Sequence, residues 1–468
     1  MKNQYRLGLF VLITLFLFGL KPAKAQPDTI SGYWVGKVDL PSIKLTVVFH
    51  ILPAVDGTQQ ITLDIPEQEA TNLACVREIS SADSLRISTA EINRTFAGIF
   101  LNDTAVKGEW TKNRVHIPLT LIKKSKAPGL YRPQTPKAPF PYYIEEVSYI
   151  NKQSGFKIAG TLTVPNTIGT YPAVILISGS GAQDRDETIF GHKMFWVLAD
   201  YFARNGIAVL RIDDRGVGGS EGSVSNATSE DFASDVLAGF TFLEDRSEID
   251  KEKIGLIGHS EGGLIAPLVA AKTTDIAFFI MMAGPGMVGE QILYEQNALA
   301  LKAAGVPEIS IKQSRMVNQR IFEIIKTESD SVKTQEQLRL ILSQGFYPGM
   351  NDEMKAAVDA KIAGVNNSWF RYFLTYDPRP TLRKVKCPVL AINGVKDVQV
   401  PVANLDSIKL ALLAGGNTNI TTKAFENLNH LFQNCQTGSV AEYSQIEETI
   451  DPEVLKLMKI WIEETINK

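Results

Sequence analysis

The run Ala173-Val174-Ile175-Leu176-Ile177 is apolar at every position. A strand with one wet face alternates apolar and polar residues. An unbroken run therefore predicts a strand buried on both faces, as in a parallel sheet. Such strands are expected at Ala173–Ser178, Ile207–Ile212, Lys253–Ile257, Ile276–Ala283, Pro388–Ile392 and Ile420–Phe425. Amphipathic segments of helical spacing fall between them, at Phe195–Arg204, Glu230–Leu243, Gly262–Lys272 and Ala403–Leu413, and a last helix runs from Pro452 to Ile466. Strands alternating with helices predict a doubly wound α/β sheet. Val147–Ile150 and Lys157–Val164, around Gln153-Ser154-Gly155, predict an entry hairpin.

One stretch breaks the alternation. From Pro285 to Lys386 there is no strand signal, while Gln291–Ala304, Lys312–Lys326 and Thr334–Leu342 have helical spacing. An insertion of this size needs its own structure, and a helical cap at about 285–386 is expected. Its cluster Trp369, Phe370, Tyr372 and Phe373 has two readings, lining for an acyl pocket or helical core packing, which is the commoner fate.

Ahead of the sheet the period is two. Ile43, Leu45, Val47, Phe49 and Ile51 form one apolar face, and Asp56-Gly57 marks a turn. Short strands recur near Gln60–Ile65, Ser84–Thr89, Thr95–Leu101, Val106–Trp110 and Arg114–Leu121, so residues 26–122 predict a small all-β domain. His50 and His116 lie in its strands and are read as solvent-facing. Pro128, Pro133, Pro136, Pro139 and Pro141, after Lys123, Lys124 and Lys126, make residues 123–142 a semi-rigid linker. The α/β domain then occupies 143–468.

Residues 1–25 have the layout of a secretory signal peptide. Lys2 and Arg6 precede the run Leu7–Leu20, broken only by Gly8, Thr14 and Gly19, and Ala23-Lys24-Ala25 offers a cleavage site after Ala25. The run is shorter than the ~20 residues a span needs. A periplasmic or secreted protein with no stable membrane span after cleavage is expected. The odd set Cys75, Cys387 and Cys435 shows no C-x-x-C spacing, which fits structural or free thiols, with one bridge compatible, and no metal site. The formal net charge of −3 argues against a nucleic-acid partner, and 44% hydrophobic residues exclude disorder. No residue pattern specifies an oligomeric state.

The chemistry centres on Gly258-His259-Ser260-Glu261-Gly262-Gly263, between a predicted strand and a predicted helix. This is the context of a nucleophile elbow: glycines admit a sharp turn that lifts the Ser260 hydroxyl above the sheet. Serine needs a base. His50 and His116 belong to the β domain, His192 lies in an early loop, and the His259 side chain should diverge from that of its neighbour Ser260. His430 lies beyond the strand Ile420–Phe425, at a carboxyl end facing the crevice, and is the expected base. Asp397 follows the strand at 388–392 and is the expected orienting carboxylate. Asp213 is its rival, but the chain order Ser260, Asp397, His430 favours Asp397. The backbone N–H groups of Glu261 and Ser180 are the expected oxyanion donors.

These motifs make residues 145 to 468 resemble the α/β-hydrolase superfamily. The likeness is greatest to bacterial serine esterases and acyl hydrolases near the dienelactone hydrolase and prolyl oligopeptidase branches. It rests on Gly179-Ser180-Gly181-Ala182-Gln183-Asp184-Arg185-Asp186, Asp213-Asp214-Arg215-Gly216, the elbow, Gly394 with Asp397, and Asn429-His430. Two positions depart from the pattern. Many relatives carry His-Gly where Ser178-Gly179 stands, and dienelactone hydrolases use Cys where this chain has Ser260. Asp184, Arg185, Asp186, Asp213, Asp214 and Arg215 are read as pairing with one another to hold loops. The resemblance implies an α/β-hydrolase fold with a helical cap, preceded by the all-β domain. It also implies a serine esterase acting on a small-molecule ester without cofactor. A serine peptidase is the alternative, and a non-catalytic binding protein the third reading. At ~40–50 residues per blade, a propeller of the prolyl-oligopeptidase kind does not fit before the linker.

Overall fold

Alternating β-branched and aromatic residues over the first part of the chain form one antiparallel sheet. A computed structural model describes residues 30–467 except 40–43, 54–58, 69, 79–82, 113–114, 127–131 and 167. The expected leader at 1–25 and the Asp56-Gly57 turn lie outside the described residues, as do Ile43, Arg114 and Pro128. Among the described residues the sheet holds β1 (Gly32–Asp39), β2 (Lys44–Pro53), β3 (Gln59–Ile65), β4 (Ala70–Ala74), β5 (Val76–Glu78), β6 (Ser84–Thr89), β7 (Arg94–Asn102), β8 (Ala105–Lys112) and β9 (Val115–Lys124). Their spatial order is β4-β3-β2-β1-β9-β8-β7-β6-β5. Leu45, Val47, Phe49 and Ile51 are buried as the period-two pattern requires, and Phe49 packs against Phe96 and Trp110 at centroid distances of 6.0 and 5.8 Å. His50 pairs with Asp64 at 2.9 Å and the exposed His116 with Glu109 at 2.9 Å.

Contacts divide the chain into two compact units, and the larger runs from Gly129 to Lys468 with two short earlier segments. Its elements are β10 (Tyr143–Asn151), β11 (Phe156–Val164), β12 (Tyr171–Ile177), the short hairpin β13 (Thr188–Ile189) and β14 (His192–Lys193), α1 (Met194–Arg204), β15 (Ala208–Ile212), α2 (Ser229–Glu244), β16 (Ile249–His259), α3 (Glu261–Ala270) and β17 (Phe278–Met282). A helical insertion follows: α4 (Gly289–Ala303), α5 (Glu308–Thr327), α6 (Ser331–Leu342), α7 (Asp352–Val365), α8 (Ser368–Thr375) and α9 (Arg379–Leu382). The sheet resumes with β18 (Val389–Gly394), α10 (Asn404–Ala414) and β19 (Ile420–Phe425), and α11 (Val440–Tyr443) and α12 (Pro452–Ile466) complete the chain.

The strand order is β10-β11-β15-β12-β16-β17-β18-β19, with β10 and β11 antiparallel and the remainder parallel. The apolar run in β12 explains the two-sided packing. Ala173, Ile175 and Ile177 enter one buried cluster with α2, α3 and α10. Val174 and Leu176 enter another with α1 and α12. Truncating a side chain there, as in Ile175→Ala, costs about 2–5 kcal/mol. The carboxyl ends of β12, β16, β18 and β19 all open on the same edge of the parallel sheet, where a doubly wound fold gathers its chemistry. Among the described residues no helix is long and apolar enough to cross a membrane.

Candidate active site

The turn after β16 is strained at Ser260. Ser260 has φ 52° and ψ −118°, a conformation that L-residues rarely adopt and that costs about 1–3 kcal/mol. Its surroundings hold it there: Ser260 N–H donates to the Met282 carbonyl at 2.8 Å, and Gly263 N–H donates to the Ser260 carbonyl at 2.9 Å. Glycine is obligatory at two flanking positions. A Cβ on Gly258 would lie 2.0 Å from the Gly262 carbonyl oxygen, and one on Gly262 would lie 2.0 Å from that of Ile177. Ser260 is half-buried, and α3 begins at Glu261, whose backbone N–H heads the helix beside it.

His430 is 3% exposed, in the loop after β19. Asn429 shapes that loop, its Oδ1 accepting from Leu431 and Gln433 N–H, both at 3.0 Å. His430 Nδ1 lies 2.7 Å from Asp397 Oδ2. The other Asp397 oxygen accepts from the N–H groups of Gln399 and Val400 at 2.7 and 2.9 Å. A carboxylate on Nδ1 fixes the tautomer and leaves Nε2 as the basic nitrogen. The two loops are stitched together by Val395 N–H to the Phe425 carbonyl at 2.9 Å and Lys396 N–H to the Leu428 carbonyl at 3.1 Å. Ser260 and His430 line one cleft, together with Ser180, Phe190, Leu431 and Tyr443.

The loop after β12 supplies the rim. Asp214 accepts from the Ser178 hydroxyl at 2.7 Å and from Gln183 N–H at 2.9 Å. Burial pushes the Asp214 carboxyl up to about 7, against the pull of those two hydrogen bonds. A Cβ on Gly179 would stand 3.1 Å from Ser260 Cβ, so this loop lies directly against Ser260. Gly179 N–H is committed to Glu187 at 2.7 Å, which makes the next amide, that of Ser180, the candidate donor to an oxyanion.

The rival carboxylate is occupied elsewhere. Asp213 accepts from Arg185 Nε and Nη2 at 3.1 and 2.6 Å and from Gly219 N–H at 2.9 Å. Asp186 pairs with Arg211 and Lys193, and Arg215 with Asp235 at 2.8 Å, so these charges hold loops together. His192 is buried on Thr449 and Tyr443, and burial pushes it down to about 4. In the helical insertion, Phe370 and Phe373 are buried, and Trp369 stacks on Phe373 at 5.2 Å. Trp369 Nε1 donates to the buried Glu261 carboxylate at 2.8 Å. That cluster packs the insertion onto α3, and among the described residues none from 285–386 lines the cleft. Cys75, Cys387 and Cys435 are free thiols.

Sequence reasoning missed Glu187. It is 1% exposed, and its Oε1 lies 2.9 Å from His259 Nδ1. His259 lines the same cleft as Ser260, and its Nε2 lies 3.0 Å from the His430 carbonyl oxygen. The only local signal was the acidic run Asp184-Arg185-Asp186-Glu187, which continues one residue past the recognised motif.

The family described as "Serine aminopeptidase, S33" matches residues 193–367, which include Ser260. Esterase EstD of Thermotoga maritima is 22% identical over 357 residues, covering 76% of this chain and 78% of its own. Among solved structures, an esterase of Pyrococcus furiosus aligns at 15% identity and TM-score 0.42, over 71% of this chain and 98% of its own. Est1E of Butyrivibrio proteoclasticus, solved with ferulic acid bound, aligns at 17% identity and TM-score 0.41, over 69% and 100%.

Proposed function

We propose that this chain, an α/β-hydrolase, is an exported serine esterase that cleaves small or medium carboxylic esters through an acyl-enzyme on Ser260. The contact that carries the reading is His430 Nδ1 on Asp397 Oδ2 at 2.7 Å, in loops stitched to each other beside the strained Ser260 turn. Ser260 Oγ attacks the ester carbon as its proton passes to His430 Nε2. The oxyanion takes the N–H groups of Glu261 and Ser180. As the tetrahedral intermediate collapses, the C–O bond to the alcohol breaks and the alcohol leaves with the proton from His430. Water, deprotonated by His430, then attacks the acyl carbon and frees Ser260.

The family description keeps peptide substrates as the second reading. Mature protein and Ser260→Ala are to be assayed on p-nitrophenyl esters of rising chain length and on aminoacyl anilides. Ester turnover that vanishes in the variant supports the proposal. Turnover of anilides alone favours the peptidase, and inertness toward both substrates and a fluorophosphonate favours a binding protein. Export rests on Lys2, Arg6, the run Leu7–Leu20 and Ala23-Lys24-Ala25. An exported chain starts at Gln26 by N-terminal sequencing, whereas an intact Met1 in the periplasmic or secreted fraction contradicts cleavage.

A further inference from the structure

His259 takes no part in the steps above, yet it is bound at both ring nitrogens at the centre of the site. It is 1% exposed. Nδ1 faces Glu187 Oε1 at 2.9 Å and Nε2 faces the His430 carbonyl oxygen at 3.0 Å. A carbonyl oxygen only accepts, and so does an ionised carboxylate. The Nε2 contact makes that nitrogen a donor, and the geometry at Nδ1 lets it donate to an ionised Glu187 Oε1, an arrangement in which the imidazole is a cation. Glu187 Oε1 also receives Gly179 N–H at 2.7 Å. One chain of hydrogen bonds thus joins the loop after β12, the end of β16 and the loop after β19. Those three segments hold the oxyanion loop, the nucleophile and the base.

The charges around this ring are few. Glu187 touches it, Asp397 acts on it from behind His430, and the His430 ring lies 4.8 Å away between centroids. The apolar edge of Phe432 lies at 6.5 Å. Burial alone would push His259 down, but the Glu187 carboxylate reverses this and holds the imidazole above its usual value.

We infer that Glu187 and His259 are a carboxylate–imidazolium pair of positioning residues for the Ser260 reaction. His259 fixes the backbone of His430, and Glu187 fixes Gly179 against Ser260. The inference rests on the acyl-enzyme reading of Ser260. Displacement of reacting groups by about 1 Å costs as much as 10²-fold in rate, and a shift at either end of this chain is of that kind. The charge balance matters as well. With His259 neutralised, the Glu187 carboxylate loses the cation it contacts at 2.9 Å, and the ring that separates it from His430 no longer offsets its charge.

The test compares His259→Gln, Glu187→Gln, the double variant and Ser260→Ala on p-nitrophenyl acetate. In His259→Gln, kcat should fall about 10²-fold with little change in KM. The acid limb of its kcat/KM profile should move up by about one pH unit. The double variant, with two neutral amides, should return that limb to its wild-type position. Both single variants with wild-type kcat and an unmoved limb, while Ser260→Ala is inactive, overturn the inference alone. Turnover retained in Ser260→Ala overturns the underlying reading and the inference with it. A wild-type measurement is independent of how the variants fold: ¹⁵N-histidine NMR should show one ring with both nitrogens protonated up to pH 8. Five neutral rings at that pH contradict the pair.

Discussion

His430 Nδ1 stands 2.7 Å from Asp397 Oδ2, and the two side chains are 4% and 0% exposed. Asp397 does not line the cleft, so its Oδ2 reaches a bound substrate only through the His430 ring. Asp397→Asn should therefore lower kcat by about 10⁴-fold, as the tautomer is lost, with KM little changed. Steady-state kinetics check this. A turnover near wild type would show that another carboxylate orients His430.

Asp213→Asn is the matching control. Asp213 is held by the Arg185 guanidinium and by Gly219 N–H rather than by a histidine. Its substitution should cost about 2 kcal/mol of stability and leave kcat within about tenfold of wild type. Urea unfolding and kinetics on one preparation separate the two effects. If Asp213→Asn costs about 10⁴ in kcat instead, the roles of the two carboxylates are exchanged.

Two buried groups give the stability of the fold opposite pH dependences. Asp214, at about 7 when folded, lies above its ordinary 3.8, so the folded protein holds the extra proton. Stability attributable to it is full below about pH 4 and is lost as pH rises to 7. His192, at about 4 when folded, lies below its ordinary 6.5, so the unfolded chain holds the extra proton. Stability attributable to it is full above pH 6.5 and is lost as pH falls toward 4. Urea midpoints from pH 4 to 8 should show Asp214→Asn flattening the first slope, by up to about 1.4 kcal/mol per pH unit. His192→Gln should flatten the second. Identical pH profiles in wild type and both variants would contradict these assignments.

Trp369 ties the helical insertion to the elbow through the Glu261 carboxylate. Burial already raises the Glu261 carboxyl, and the Ser229 and Trp369 hydrogen bonds oppose that rise. Trp369→Phe removes one donor and should cost about 1–3 kcal/mol. The loss should grow with pH, because the ionised form is the one deprived of its partner. Thermal midpoints at pH 5 and 8 test this, and an equal or smaller loss at pH 8 would count against it.

Much of the α/β sheet was legible because its signals are local. The five-residue apolar run at 173–177 has the same periodicity in the sequence and in the strand. The elbow was legible because Gly258 and Gly262 answer to clashes within a few residues or with the adjacent strand end. What stayed hidden was set by long-range pairing. Glu187 meets His259 across 72 positions, and nothing near either residue specifies the other. The expectation that neighbouring side chains diverge on a tight turn gave no hint of what the His259 ring meets. Helix α7 was hidden for a different reason: its residues are largely exposed, so its apolar spacing is weak.

In the proposed reaction Ser260 is the nucleophile and His430 its base. Intact-mass and peptide-mapping analysis after treatment with a fluorophosphonate tests it directly. One adduct per chain is expected, located on Ser260, absent in Ser260→Ala and formed far more slowly in His430→Gln. An adduct on another residue, or ester turnover by a protein that the reagent leaves unlabelled and uninhibited, would contradict it.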